Sequence, residues 1–146
     1  MINFIEGKIT LATQTINATS DYKDLIDCTE KGLIEKRKDP GKGPDYFYVE
    51  TVASGLRFGA IISLREKNID YILFRWLDSP MKDWDDVSEK ALRDEYRLLL
   101  NFVEKTVGGP PDNRKNRQCT WRFKWGKVEV SYEPRSFDAA IFMKPR

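Results

Sequence analysis

The stretch GLRFGAIISLREKNIDYILFRWLD, residues 55–78, constrains the fold more than any other part of the chain. Leu56, Phe58, Ala60, Ile62 and Leu64 recur at every second position, which puts them on one face of an extended strand. Beyond EKN the alternation resumes, with Tyr71, Leu73 and Leu77 on one face and Ile72, Phe74 and Trp76 on the other. The segment reads as a long β-hairpin turning near Lys67–Asn68. Its return strand is apolar on both sides, so it is expected near the middle of a sheet and covered on both faces over part of its length.

Two helices flank this hairpin in sequence. TSDYKDLIDCTEKG predicts a short one, with Thr19 or Ser20 as the cap and Asp21 suited to its positive end. Tyr22, Leu25, Ile26 and Thr29 form its apolar stripe, and Gly32 ends it. The longer helix follows DSPMKDWDDVSEK. Asp86 or Asp85 is the expected cap, with Glu89 completing a capping box to Asp86. Leu92, Tyr96, Leu99, Val103 and Val107 give its stripe, Leu100 and Phe102 widen it, and GGPP stops it.

The remaining segments read as strands and loops. INFIEGKITL and YFYVET have strand composition, and LIEKRK predicts a strand running out to the surface. DPGKGPD is an exposed loop, and DNRKNRQ reads as a basic loop. Two strands surround Gly126, EPRS makes a turn, and FDAAIFMK is the last strand. The order β-α-ββββ-α-βββ defines one α+β domain over 1–146, with antiparallel strands and two helices. A helix followed by a run of strands, twice over, points to two similar halves, although no residue-level repeat accompanies it.

Composition narrows the function more by exclusion than by indication. The 146 residues contain no histidine. That removes the commonest general base and metal ligand, and with them His-based triads, Cys–His dyads and ordinary zinc sites. GKGP lacks the spacing of a phosphate loop. No catalytic residue, metal ligand or cofactor is expected, and the chain reads as no enzyme. A net charge of +2 gives no general case for nucleic acid or membrane, so any such case must rest on local clusters. Cys28 and Cys119 read as free thiols of a reducing compartment or, in a periplasmic form, as a single bridge. With no basic start or long apolar run at MINFIEGKI, the expected location is cytoplasmic.

Three clusters remain. TWRFKWGKVEVSYEP sorts by period two into Trp121, Phe123 and Trp125 against Arg122 and Lys124. A nucleic-acid platform presents aromatics and cations together, so this segregation favours an amphipathic hairpin packed on the long helix. Trp125, beside the turn glycine, is the aromatic expected to escape the core. The connector holds seven acids and three bases between Asp78 and Glu95. Asp78, Asp83, Asp85, Asp86 and Glu89 with Trp84 form a candidate surface for a basic protein, the tryptophan as anchor and the acids as steering charge. The same acids also suit a solvated helix start. Arg114, Lys115, Arg117, Arg122 and Lys124, with Trp125, form the alternative surface, for phosphates or an acidic partner. Besides a protein partner, the segment 113–124 leaves open a nucleic-acid-binding accessory protein. The space between helix and sheet leaves open a small-molecule-binding domain.

The hairpin, the acidic connector, the helix SEKALRDEYRLLLNFVEKTVGGPP and the segment TWRFKWGKVEVSYEP together resemble small bacterial α+β proteins. Among these are immunity proteins that neutralise toxins passed between competing bacteria. The alternation of helix and antiparallel sheet is also similar to the two-half architecture of bacterial β-lactamase inhibitor proteins. The resemblance covers residues 55–143, is architectural, and transfers no site. It implies a non-catalytic protein that binds one cognate bacterial toxin domain and blocks it.

Overall fold

The computed structural model describes residues 1–146. The chain opens with β1 (Ile2–Asn3), β2 (Lys8–Thr10) and β3 (Thr15–Asn17), then α1 (Tyr22–Glu30). Four strands follow: β4 (Glu35–Arg37), β5 (Tyr46–Ala53), β6 (Leu56–Arg65) and β7 (Asn68–Trp76). A 3-10 turn at Trp84–Asp86 leads to α2 (Glu89–Val107). Four more strands complete the chain: β8 (Asn113–Lys115), β9 (Gln118–Arg122), β10 (Gly126–Glu133) and β11 (Asp138–Pro145). No helix is long and apolar enough to cross a membrane.

The α+β class stands, with two antiparallel sheets. One is the three-stranded meander β1-β2-β3; the other has eight strands in the order β4-β5-β6-β7-β11-β10-β9-β8. Each helix thus precedes a four-stranded meander, and the two meanders meet at their last strands, β7 and β11, which pair antiparallel. The halves expected from element order are present in the topology. The return strand of the hairpin lies in the middle of the sheet, as its two-sided apolarity suggested, but the expected cover of its second face is not there: Leu73 lines an open trough with Phe142.

Two segments fold into more strands than their composition announced. INFIEGKITL is two strands, because Gly7 adopts φ +68 and turns the chain back on itself. The basic segment 112–118 is no plain loop: Asn113–Lys115 pairs with β9 through a turn at Asn116–Arg117. The main hairpin turns at Glu66–Lys67, one residue earlier than expected, with Glu66 at φ 60 and a register shift between Ser63 and Leu64.

The helix caps also move. Asp21, rather than Thr19 or Ser20, caps α1, accepting from the Asp24 N–H at 3.0 Å. Ser88, rather than Asp85 or Asp86, caps α2, accepting from the Ala91 N–H at 3.0 Å. The two aspartates are used one turn earlier. Tyr22 does not join the buried stripe of α1, which is Leu25 and Cys28. Gly108 ends α2 at φ 88, as GGPP required.

Cross-strand register assigns the faces. Val49, Ala60, Phe74, Ile141, Val130 and Cys119 are successive partners from β5 to β9, and all but half-buried Val49 are buried. This is the face the helices and the N-terminal meander cover: Phe4 sets its ring edge against Phe74 and Phe102, and Phe58 lies 5.1 Å from Phe102. The buried apolar side chains form one contiguous cluster, except for Leu73 and Ala140 on the opposite face. On the opposite face an unbroken row crosses the whole sheet: Glu35, Tyr48, Ile61, Leu73, Phe142, Glu129, Thr120, Asn113.

Candidate functional site

The connector between β7 and α2 is exposed throughout Lys82–Asp86. Its 3-10 turn is held by the Asp86 N–H on the Asp83 carbonyl at 2.9 Å, and by the Asp83 N–H on Asp86 Oδ2 at 3.3 Å. This fixes the backbone at Trp84, a residue 75% exposed. Its one aromatic neighbour is Phe137, 6.2 Å away and edge-on at 88°. Phe137 sits in the β10–β11 turn at φ 52, a conformation that bulky residues rarely adopt. A strained turn residue therefore buttresses an exposed tryptophan.

The acids around Trp84 have different fates. Asp83, Asp85, Asp86 and Glu89 are exposed. Asp78 is engaged by Arg57, whose Nη2 and Nε donate to its carboxylate at 2.7 and 3.2 Å. That guanidinium holds the Asp78 carboxyl below its ordinary range. Glu95 leaves the patch altogether. It faces inward from α2 and is 7% exposed. Burial pushes its carboxyl up, Asp138 adds to the effect, and Ser79 and Arg75 oppose it.

The basic set is divided. Arg114 pairs with Cys119 and so points to the helix side of the sheet, away from Lys115 and Arg122. Lys115 and Arg117 border a trough of about 640 Å³ with Arg75, Ser136 and Asp138, at the same end of the sheet as the connector. Arg117 also shares a small crevice with Glu89 of α2. Arg122, Lys124 and Trp125 belong to the opposite end, around the β9–β10 turn.

Trp125 does not escape the core. Its Nε1 donates to the Phe4 and Ile5 carbonyls at 3.0 and 3.1 Å, and its ring stacks on Phe123 at 5.9 Å and 6°. The β9–β10 turn is thereby stapled to the N-terminal meander. Trp121 is buried, as the alternation required, and its Nε1 donates to the Gly109 carbonyl at 3.0 Å just past α2.

The structure therefore gathers at one end of the sheet two surfaces that looked like alternatives. The acidic connector with Trp84 and the β8–β9 turn with Lys115 and Arg117 flank the β10–β11 turn on either side. Cys28 and Cys119 are free and buried. Burial, first, and nearby Asp27 raise the Cys28 thiol, which keeps it protonated and unreactive. No three Cys, Asp or Glu side chains converge as a metal-holding group.

Sequence reasoning missed one pair. The Nε1 of Trp76 and the Oε1 of Glu95 are both buried without a hydrogen-bond partner in the chain, and both residues line a cavity of about 250 Å³ under the connector. The signal was present: Glu95 falls between Leu92 and Leu99 on the apolar stripe of α2, an acid in a row of core positions.

In comparisons with protein-family models, with curated proteins and with solved structures, nothing matches this chain.

Proposed function

We propose that this chain is a non-catalytic protein-binding module whose partner docks on the connector end of the sheet, with Trp84 as the anchor. The observation that carries this reading is the 75% exposure of Trp84 on a turn already locked by backbone hydrogen bonds. A turn whose backbone is ordered before binding lowers the ordering cost of burying its indole, and tryptophan is a common interface hot spot. Asp83, Asp85 and Asp86 around it favour a basic partner and speed its encounter.

In its specific form the reading is a bacterial immunity protein that neutralises a cognate toxin. The architectural resemblance of residues 55–143 supports that step. The nucleic-acid alternative is weakened by the division of the basic set, since Arg114 faces away and Trp125 is committed to the meander.

The test is affinity capture from a lysate of the source organism, in parallel with co-purification against the product of the neighbouring upstream gene. Wild type retains one protein, and Trp84→Ala loses it. Co-expression of this chain then protects cells from that protein. Capture unaffected by Trp84→Ala removes the proposed anchor. Retention of RNA in place of any protein, in a salt-dependent manner, overturns the class.

A further inference from the structure

We infer that the crevice at the β9–β10 end of the sheet is a binding site for the diphosphate group of a small soluble phosphate compound. The crevice, about 200 Å³, has seven lining residues, among them Arg122, Phe123, Gly126, Lys127, Lys144 and Arg146; four of the seven are cationic and none is acidic. It lies at the far end of the sheet from Trp84, so the inference does not depend on the protein-binding reading above.

Strand register brings the cations together. Lys127 on β10 stands opposite Arg122 on β9 and opposite Lys144 on β11, all on the face away from the helices. Side chains directly opposite on neighbouring strands lie about 5 Å apart at Cβ, and like charges so placed repel. Three cations in one row therefore cost stability unless anions offset them.

The chain's own acids offset them only in part. Glu129, one step along the same face, pairs with Lys144 at 2.7 Å and Lys127 at 2.9 Å. It brings one negative charge to two ammoniums, each of which has three donors. Both lysine side chains remain more than a third exposed, so a ligand reaches them. The Lys144 ammonium also lies 5.1 Å from the Phe142 ring, a contact that adds no negative charge. Arg122, Lys124 and Arg146 take part in none of the ion pairs of the chain. Asp112 accepts from the Arg122 backbone N–H at 2.7 Å and leaves the guanidinium unpaired. Set against Arg122, Lys124, Lys127, Lys144 and Arg146, these two acids and even a carboxylate on Arg146 leave a positive surplus.

A diphosphate suits this surplus better than a carboxylate. It carries several charges on two adjacent centres, and guanidiniums grip phosphate oxygens bidentately. At about 30 Å³ per water, the crevice holds the volume of roughly seven waters, room for the nine heavy atoms of a diphosphate. Its walls are set before binding. Phe123 stacks on Trp125, which is bonded to the Phe4 carbonyl, and the Arg146 N–H donates to the Trp125 carbonyl at 3.2 Å. At Gly126 the strands approach so closely that a side chain would run into the Lys144 carbonyl. Nucleic acid fits less well. Arg114 faces the helix side, and Lys115 and Arg117 lie at the other end of the sheet, so the cations form one compact group rather than a track for a backbone.

The experiment is isothermal titration of the full-length protein with inorganic diphosphate at low salt. The expected result is saturable binding that weakens as salt rises, with citrate at least tenfold weaker. Arg122→Gln combined with Arg146→Gln lowers diphosphate affinity at least tenfold. Lys115→Gln combined with Arg117→Gln leaves it within twofold. All four side chains are exposed, so both variants fold, and circular dichroism verifies this. No saturable binding, equal affinity for citrate, or an equal loss in the two double variants overturns the inference. So does higher affinity for single-stranded RNA, or for phosphatidylcholine vesicles carrying phosphatidate, than for free diphosphate.

Discussion

The indole of Trp125 lies directly over the backbone of Gly7. A methyl group built on Gly7 would stand 2.4 Å from Cδ2 of the ring, closer than atoms approach, and Gly7 sits at φ +68. The turn of the N-terminal meander and the β9–β10 turn thus fit together only because one of the pair has no side chain.

Gly7→Ala is therefore expected to destabilise the chain by at least about 2 kcal/mol, from steric displacement and left-handed strain together. Trp125→Ala should cost about 2–3 kcal/mol, since its two backbone acceptors lose their donor. Urea unfolding followed by circular dichroism measures both. Near-neutral results would mean that the meander is held by Phe4 and its neighbours alone.

Trp84 should behave in the opposite way. Trp84→Ala removes an exposed side chain with one aromatic neighbour, so stability should change by less than about 0.5 kcal/mol. Affinity for the captured partner should fall by about 2 kcal/mol, roughly thirtyfold. Isothermal titration and thermal unfolding on the same preparation separate the two quantities.

Glu95 gives a pH signature. Its carboxyl is raised by burial above the ordinary value of 4.5, so the folded chain holds that proton more tightly than the unfolded chain. Its contribution to stability is fullest below that value and falls as pH climbs through the folded pKa. Glu95→Leu removes the group. At pH 8 the variant should be more stable by about 1–3 kcal/mol, near 2–4 °C per kcal/mol in midpoint for a chain this size. At pH 4 the advantage should vanish. A constant offset across the range would locate the effect in packing rather than charge.

Glu129 shows the reverse slope. It lies in the row on the face opposite the helices, 5% exposed, and pairs with Lys144 at 2.7 Å and Lys127 at 2.9 Å. Burial pushes its carboxyl up, but the two ammoniums outweigh burial and hold it below its ordinary 4.5. That stabilisation is present above the ordinary value and is lost as pH falls through the folded pKa. Glu129→Gln should cost on the order of 1–2 kcal/mol at pH 7, with both lysines free to reach solvent. It should also flatten the acid limb of the stability curve below the ordinary carboxyl value of 4.5. An unchanged acid limb would show that the pair contributes nothing.

What was legible in the sequence was whatever repeats with a period. The hairpin at 55–78, the helical stripe of Leu92, Tyr96, Leu99 and Val103, and the burial of Trp121 all follow from alternation or from 3.6-residue spacing. Chain reversals that carry no period were not legible. Asn113–Lys115 is polar throughout and offers no alternation to announce its local hairpin with β9, and only the distant Trp125 marks the turn at Gly7. The caps failed for a related reason: Asp85, Asp86 and Ser88 all suit an N-terminus, and only Val87, extended at ψ 140, separates the two turns they serve. The acidic patch was read by counting charges, and counting cannot see that Glu95 faces inward while Asp78 is already paired.

The meeting of β7 and β11 sets how this chain must assemble. Phe74 and Ile141 are neighbours across that seam yet lie far apart in sequence, whereas the pairings within each meander are local. Local pairings close faster than distant ones, so loop closure at the seam is the step expected to govern the overall rate. Stopped-flow refolding of Phe74→Ala and of a variant within one meander would show which contacts form in the rate-limiting step. Until the seam closes, each half-sheet carries an unpaired inner strand, and the strand edge best able to satisfy it belongs to the other half of any copy of the chain. Strand exchange between molecules is the misassembly this topology invites, at high concentration and in the interval before the two halves of one chain meet.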